Sequence, residues 1–153
     1  LMLPLPSMAS MALRRRFSFI ELMPRLDLVE EQTVETEENS ISLSGLLENL
    51  NKNIASSIGR DYQLGHSYLM KVAQKSPEER PAYLEFVWNH QIMPLLQEYF
   101  YSQPDKLQEV LGPPWMKDES ESPNEGEQMQ IKQLSDDELF AALEWIANGR
   151  KNI

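Results

Sequence analysis

Two stretches hold the residue types that could do chemistry. The first is Gly59-Arg60-Asp61-Tyr62-Gln63-Leu64-Gly65-His66-Ser67-Tyr68-Leu69, where a pair of glycines frames charge, imidazole and hydroxyl. Glycine admits backbone conformations that other residues avoid. Ser67, just ahead of Tyr68-Leu69-Met70, predicts a helix cap, and a helix start beside a loop can face an anion. Phosphate is therefore the ligand chemistry to consider. The second stretch is Arg14-Arg15-Arg16, the one basic cluster of the chain. Guanidinium presents planar, forked donors that stay charged, so a row of them at the end of a rigid element can reach phosphate oxygens. The plainer reading of the same run is a solvated basic turn.

Other chemistries fare worse. A hydrolase built on His66 and Ser67 has Asp61 available as an acid partner, but nothing like a nucleophile elbow is present. His66 reads more simply as a helix-start histidine satisfied by backbone groups. His66 and His90 are the only histidines, far apart and without ligand spacing, so a metal site is not indicated. Cysteine is absent, which removes disulfides and thiolate metal sites. No GxxxxGK[ST] loop occurs, so this chain alone should not hydrolyse a nucleotide. Trp88, Tyr99, Phe100 and Tyr101 fall at helical spacing and read as core, not as a base-stacking platform.

The elements that must position these residues come from a chain of 153 residues, 41% hydrophobic and 25% charged. That composition supports one modest domain with loose ends. The net charge of −10 argues against a stand-alone, nonspecific nucleic-acid binder, because phosphate neutralisation needs clustered Lys and Arg. No apolar run approaches the roughly 20 residues that span a bilayer, so no membrane partner is expected and the cytoplasm fits best. Residues 1–20 superficially resemble a transit peptide, but Pro4 and Pro6 weaken an amphipathic helix there. The chain begins with Leu, and we expect it to be cut from something longer.

In order, Met8 to Arg15 predicts a short helix. Arg16 to Leu22 is a β-prone run stopped by Pro24, a strand whose sheet partners should lie elsewhere. Glu21 to Glu38 is acidic and predicts a solvated loop or ragged helix. Ser42 and Ser44 can cap a helix carrying Leu46, Leu47, Leu50, Ile54 and Ile58, with Gly59 as its C-terminal cap. A short helix follows from Gly65 or Ser67 to about Gln74. Ser76-Pro77-Glu78-Glu79 has capping-box spacing and opens a long helix whose face is Leu84, Val87, Trp88, Ile92, Leu95, Leu96 and Tyr99. Pro94 should kink it. Asp105 to Leu111 predicts another helix, closed by Gly112-Pro113-Pro114. Residues 116–130 are too polar to order themselves. Ser135 then caps a last amphipathic helix through Leu139, Phe140, Leu143, Trp145 and Ile146 to Asn148, ended by Gly149.

Ala12-Leu13-Arg14-Arg15-Arg16-Phe17-Ser18-Phe19 followed by Pro24 resembles the end of an AAA+ ATPase core. Gly59 to Tyr68, and Ile92-Met93-Pro94-Leu95-Leu96-Gln97-Glu98-Tyr99-Phe100-Tyr101, resemble in the same order the lid of one AAA+ branch. That branch is the McrB-type GTP-hydrolysing subunit of modified-cytosine restriction systems. The resemblance covers about residues 8–111. It implies a mainly α fold, an AAA+ C-terminal helical lid preceded by one orphan β-strand of a missing α/β core. Residues 1–24 would be the core remnant, 25–44 an acidic loop, 45–112 the lid, 113–134 an acidic disordered linker and 135–153 a C-terminal amphipathic helix.

The resemblance further implies a homo-oligomeric ring motor that binds GTP or ATP with Mg between core and lid, with a nuclease subunit as partner and DNA engaged indirectly. Arg15 and Arg16, with Arg14 adjacent, fall on arginine-finger positions acting in trans. Gly65, His66 and Ser67 fall where the lid approaches the nucleotide. The departures are as definite. Leu1-Met2-Leu3-Pro4-Leu5-Pro6 stands where the family has its sensor-one segment, and both Walker motifs are absent. The expectation is thus a C-terminal lid portion, inactive alone and binding no cofactor by itself. Two alternatives stand beside it. One is an autonomous acidic helical module that binds another protein through the Leu139 to Ile146 face. The other is a hydrolase using His66.

Overall fold

From residue 32 on, the acidic stretch ahead of the first long helix is not a plain loop. In the computed structural model, which describes residues 32–116 and 131–150, it forms a hairpin of β1 (Thr33–Glu35) and antiparallel β2 (Ser40–Ser42). Val34 pairs with Ile41 and both are fully buried, while Glu37 and Glu38 turn outward. Thr36 closes the turn: its N–H donates to the Asn39 carbonyl at 2.8 Å, and its hydroxyl accepts from the Asn39 N–H at 2.9 Å. Strands this short carry a single inward residue each, too little for a period of two to show in sequence. The helix from Met8 and the strand from Arg16 to Leu22 lie outside the described residues.

Helix α1 (Leu43–Ile58) follows as its spacing predicts. Ser42 caps it by accepting from the Gly45 N–H, and Gly59, at φ 109°, ends it with its N–H on the Ala55 carbonyl. A side chain would be strained at that φ, which is why glycine serves there. Leu43, Leu46, Leu47, Leu50 and Ile54 form its buried stripe. Then come α2 (Ser67–Ala73), α3 (Arg80–Val87), a π-helical turn over Trp88–Ile92, α4 (Met93–Tyr99), α5 (Pro104–Leu111) and α6 (Asp136–Ala147).

The long helix expected from Pro77 onward differs from its prediction in two ways. Ser76 does not cap with its side chain; its carbonyl accepts from the Glu79 and Arg80 N–H groups in a turn, and α3 starts at Arg80. Nor is there a simple proline kink. The wide turn, with the Met93 N–H on the Trp88 carbonyl, comes immediately before Pro94 and leaves the proline in the first turn of α4. A missing N–H costs little in a first turn, and a π turn gives the ring room.

Arg80 joins three pieces of chain. Its guanidinium donates to the carbonyls of Ala73, Lys75 and Thr33 and to the Gln32 side chain, at 2.9–3.1 Å. The hairpin is thereby pinned to the end of α2 and the start of α3.

Helix α6 is capped by Ser135, as expected, but it is not a free docking element. Leu139, Phe140, Ala142, Leu143, Ile146 and Ala147 are buried in the same cluster as the α1 stripe. A Cβ added to Gly45 would sit 2.6 Å from the Ala147 carbonyl oxygen, so the two helices meet at backbone distance. Asn49 donates to that same oxygen at 3.0 Å. Trp145 closes over Gly112, and Arg150 lies across the Trp145 ring while donating to the carbonyls of Glu109 and Val110 at the end of α5. The Leu139 to Ile146 face proposed for a partner is thus covered by the protein itself. Among the described residues no helix is long and apolar enough to cross a membrane.

Where α3 passes the start of α6, burial pushes the Glu85 carboxyl above its ordinary 4.5, and the neighbouring Asp136 carboxyl adds to the rise. A carboxyl with a folded pKa above its unfolded one takes up a proton on folding. It favours the fold at acidic pH and loses that contribution as pH rises through the folded value. Glu85→Gln should therefore raise the melting temperature at pH 7 and flatten its rise on acidification below that, read by thermal scans across pH. Leu143→Ala should cost about 2–5 kcal/mol in urea titration. Tyr101→Ala, at a side chain 76% exposed, should stay within about 0.5 kcal/mol of the parent.

Candidate functional site

The glycine-framed stretch leaves α1 at Gly59 and makes a tight 3-10 turn over Arg60–Tyr62, closed by the Gln63 N–H on the Arg60 carbonyl. It then dives inward, placing Leu64 in the core at 2% exposure. Two side chains outside the stretch hold it there. Tyr99 of α4 meets the Tyr62 ring edge-on, with centroids 5.2 Å apart and planes at 74°. Asn51 of α1 grips Leu64 from beneath: its amide nitrogen donates to the Leu64 carbonyl at 2.9 Å, and its amide oxygen accepts from the Leu64 N–H.

Asn51 is a buried polar residue, 3% exposed. Burying an amide is unfavourable unless its donors and acceptors are matched, and here one donor and the acceptor meet the two backbone groups of a single residue. Sequence reasoning missed it. The signal was present: Asn51 falls in the helical stripe of Leu47, Leu50 and Ile54, where an apolar residue would ordinarily stand.

Past this clamp the chain emerges. Gly65 and Ser67 are exposed and His66 is half-buried. The His66 carbonyl accepts from the Leu69 and Met70 N–H groups and so starts α2. Ser67 is the first residue of that helix, not its cap; the cap is His66, whose side chain makes no capping bond. With seven residues, α2 has about two turns, and the expectation of an anion drawn by a helix start loses its weight. The space at Gly65 is more informative. A Cβ there would find only the Ser67 hydroxyl, at 3.8 Å, so the backbone can be approached closely from outside.

The structure brings Gly65, His66 and Ser67 together on one exposed turn. Arg14, Arg15 and Arg16 lie outside the described residues. His90 sits elsewhere, exposed, with its ring 4.8 Å from Phe86. Among the described residues no group of three or more His, Asp or Glu side chains is placed to hold a metal. Trp88 and Phe100 are buried as expected, and Trp88 packs on Trp115 at 5.8 Å; Tyr101, expected in the core, points to solvent.

The described residues thus form a small helical body with a hairpin at its entrance and one braced, exposed turn leading into a short helix. Comparison with known proteins shows what this body is similar to. Residues 42–108 match the family model described as McrB, alpha-helical lid domain, and form an McrB-type AAA+ lid. Over 105 residues the chain is 32% identical to the type IV methyl-directed restriction enzyme EcoKMcrB subunit of Escherichia coli strain K12. That alignment takes in 63% of this chain and 23% of the relative. The family match ends inside α5, yet α6 completes the core on the far side of α1.

The edge-on pair of Tyr62 and Tyr99 gives a direct test of how the turn is braced. A double-mutant cycle with Tyr62→Leu and Tyr99→Leu should return a coupling of about 0.5–1.5 kcal/mol in chemical denaturation. Additive losses would mean that the rings do not support each other.

Proposed function

We propose that this chain supplies the lid side of a nucleotide site in a ring-forming motor of a DNA-restriction system, the remainder coming from an AAA+ core. The observation that carries this reading is the exposed Gly65-His66-Ser67 turn, anchored from beneath by Asn51 within the segment that matches the lid family. In this reading Gly65 lets the backbone come close to a GTP or ATP phosphate chain, while His66 and Ser67 offer an imidazole and a hydroxyl to it. Arg15 and Arg16, with Arg14 beside them, reach the site of a neighbouring subunit, where guanidinium stabilises charge on a transferring phosphoryl group.

The fit to a nucleotide is one-sided. A Cβ added at Gly65 would meet only the Ser67 hydroxyl, at 3.8 Å, but the described residues hold no group of three or more His, Asp or Glu side chains placed for Mg, and the 153 residues contain no glycine loop of the Walker type. Both would come from the core, which makes this half of a site. A nuclease subunit and, through the assembled ring, DNA are the further partners of a cytoplasmic machine of this kind. The competing interaction module loses its surface, since the Leu139 to Ile146 face is buried against α1.

The test uses the full chain. Millimolar GTP with Mg should shift the backbone amide resonances of Gly65, His66 and Ser67 more than those of α5 or α6, with no phosphate released. Shifts absent from the turn with both GTP and ATP would remove the lid-to-nucleotide reading. Phosphate release by the pure chain would remove the half-site reading, and loss of that release in His66→Ala would favour the hydrolase.

A further inference from the structure

We infer that Asn51 is the positioning residue of the lid's nucleotide-facing turn, the group that sets where Gly65, His66 and Ser67 stand; this rests on the nucleotide reading above. Asn51 would touch no ligand. It acts through the Leu64 backbone, whose N–H and carbonyl it holds with the two ends of one amide.

Three observations support this assignment over a merely structural one. First, the position lies in the α1 stripe, where leucine would fill the space without any polar group to satisfy. Second, both bonds go to Leu64, the last buried residue before the exposed turn, so they define its rotation as well as its depth. Third, the next residue is Gly65, which has no side chain to pack, and a Cβ there would find only the Ser67 hydroxyl, at 3.8 Å. The heading of the turn is therefore set by Leu64 on one side and by α2, with Leu69 and Val72 buried, on the other. Loosening the clamp would populate other headings, and apparent affinity falls in proportion to the fraction left in the competent one.

Two replacements separate positioning from folding. Asn51→Leu is apolar and of similar size but leaves both Leu64 groups unpaired. Asn51→Asp keeps the acceptor for the Leu64 N–H, yet as a carboxylate it turns a second acceptor toward the Leu64 carbonyl. When protonated, the same side chain offers one acceptor and one O–H donor, which restores the original pattern. Burial favours the protonated form and moves that change upward in pH. The charged and titratable groups on the surrounding elements are Arg60, Asp61, Tyr62 and His66 on the loop, Glu48 and Lys52 on α1, Tyr68 and Lys71 on α2, and Glu98 and Tyr99 on α4. All are common to parent and variant, so the parent at each pH is the reference.

The experiment is an amide-resolved titration of the full chain with GTP and Mg, with ATP and inorganic triphosphate as separate arms, repeated from pH 7.5 downward. In the parent the turn responds. In Asn51→Leu the α6 resonances should stay in place while the apparent affinity at Gly65 to Ser67 drops about tenfold. In Asn51→Asp the same loss should appear at neutral pH and recover toward the parent on acidification. Parent-like responses in both variants at every pH would overturn the inference, as would a loss in Asn51→Asp that no pH restores. If Asn51→Leu does not fold, the recovery in Asn51→Asp decides alone. A parent that responds to none of the three ligands defeats the nucleotide reading and the inference with it. A response to triphosphate equal to that with GTP would assign the turn to the phosphates.

Discussion

The buried stripe of α1 is the constraint on which the rest of the structure depends. Leu43, Leu46, Leu47, Leu50 and Ile54 lie along one side of a single helix, and each is worth about 1.5–3 kcal/mol only if something covers it. The covering is shared among β2, α2, α5 and α6. No one of them suffices, which explains why α6, beyond the family-matched segment, is drawn in across a polar stretch. Gly45 permits it: the approach of Ala147 to the α1 backbone leaves no room for a methyl group. The same helix carries Asn51 in its stripe, so the element that makes the core also orients the turn that leaves it.

On the proposed reading, that coupling has a functional consequence. A lid that closes on a ligand must present its contacts at a fixed heading, because a contact misplaced by an ångström or so is of little use to a reacting phosphate. Exposed turns rarely hold a heading by themselves. Here the turn is braced twice, by an amide reaching up from α1 and by a ring edge from α4. Both braces belong to elements whose own positions are set by the core. Arg80 does a comparable service at the opposite end of α2, tying the point where the chain enters the lid to the helix that starts at Ser67.

Several elements were legible because they rest on local chemistry. Ser42 and Ser135 cap helices, Gly59 and Gly112 end them at positive φ, and the apolar stripes of α1 and α6 have helical spacing. The turn of Gly65, His66 and Ser67 could be singled out by composition. The hairpin was not legible, because Val34 and Ile41 are one buried residue apiece in an acidic background and only their pairing makes them a sheet. Pro94 was read as a kink because sequence names the disturbance but not the remedy. The widened turn at Trp88–Ile92 is a response of the whole packed helix, with Trp88 held against Trp115.

By itself, then, the sequence determined where α1 and α6 run and stop and which turn carries the polar chemistry, since caps, glycines and periodicity act over a few residues. It also contained the motifs that resemble an AAA+ lid. Only the tertiary structure decided that α6 completes the lid core instead of serving a partner, that Ser67 begins a helix it does not cap, and that Asn51 governs Leu64 from thirteen residues away. An asparagine in an apolar stripe is a contradiction when read along the chain. It resolves once the fold brings a backbone N–H and carbonyl to its amide, because burial makes an unmet polar group too costly to leave alone.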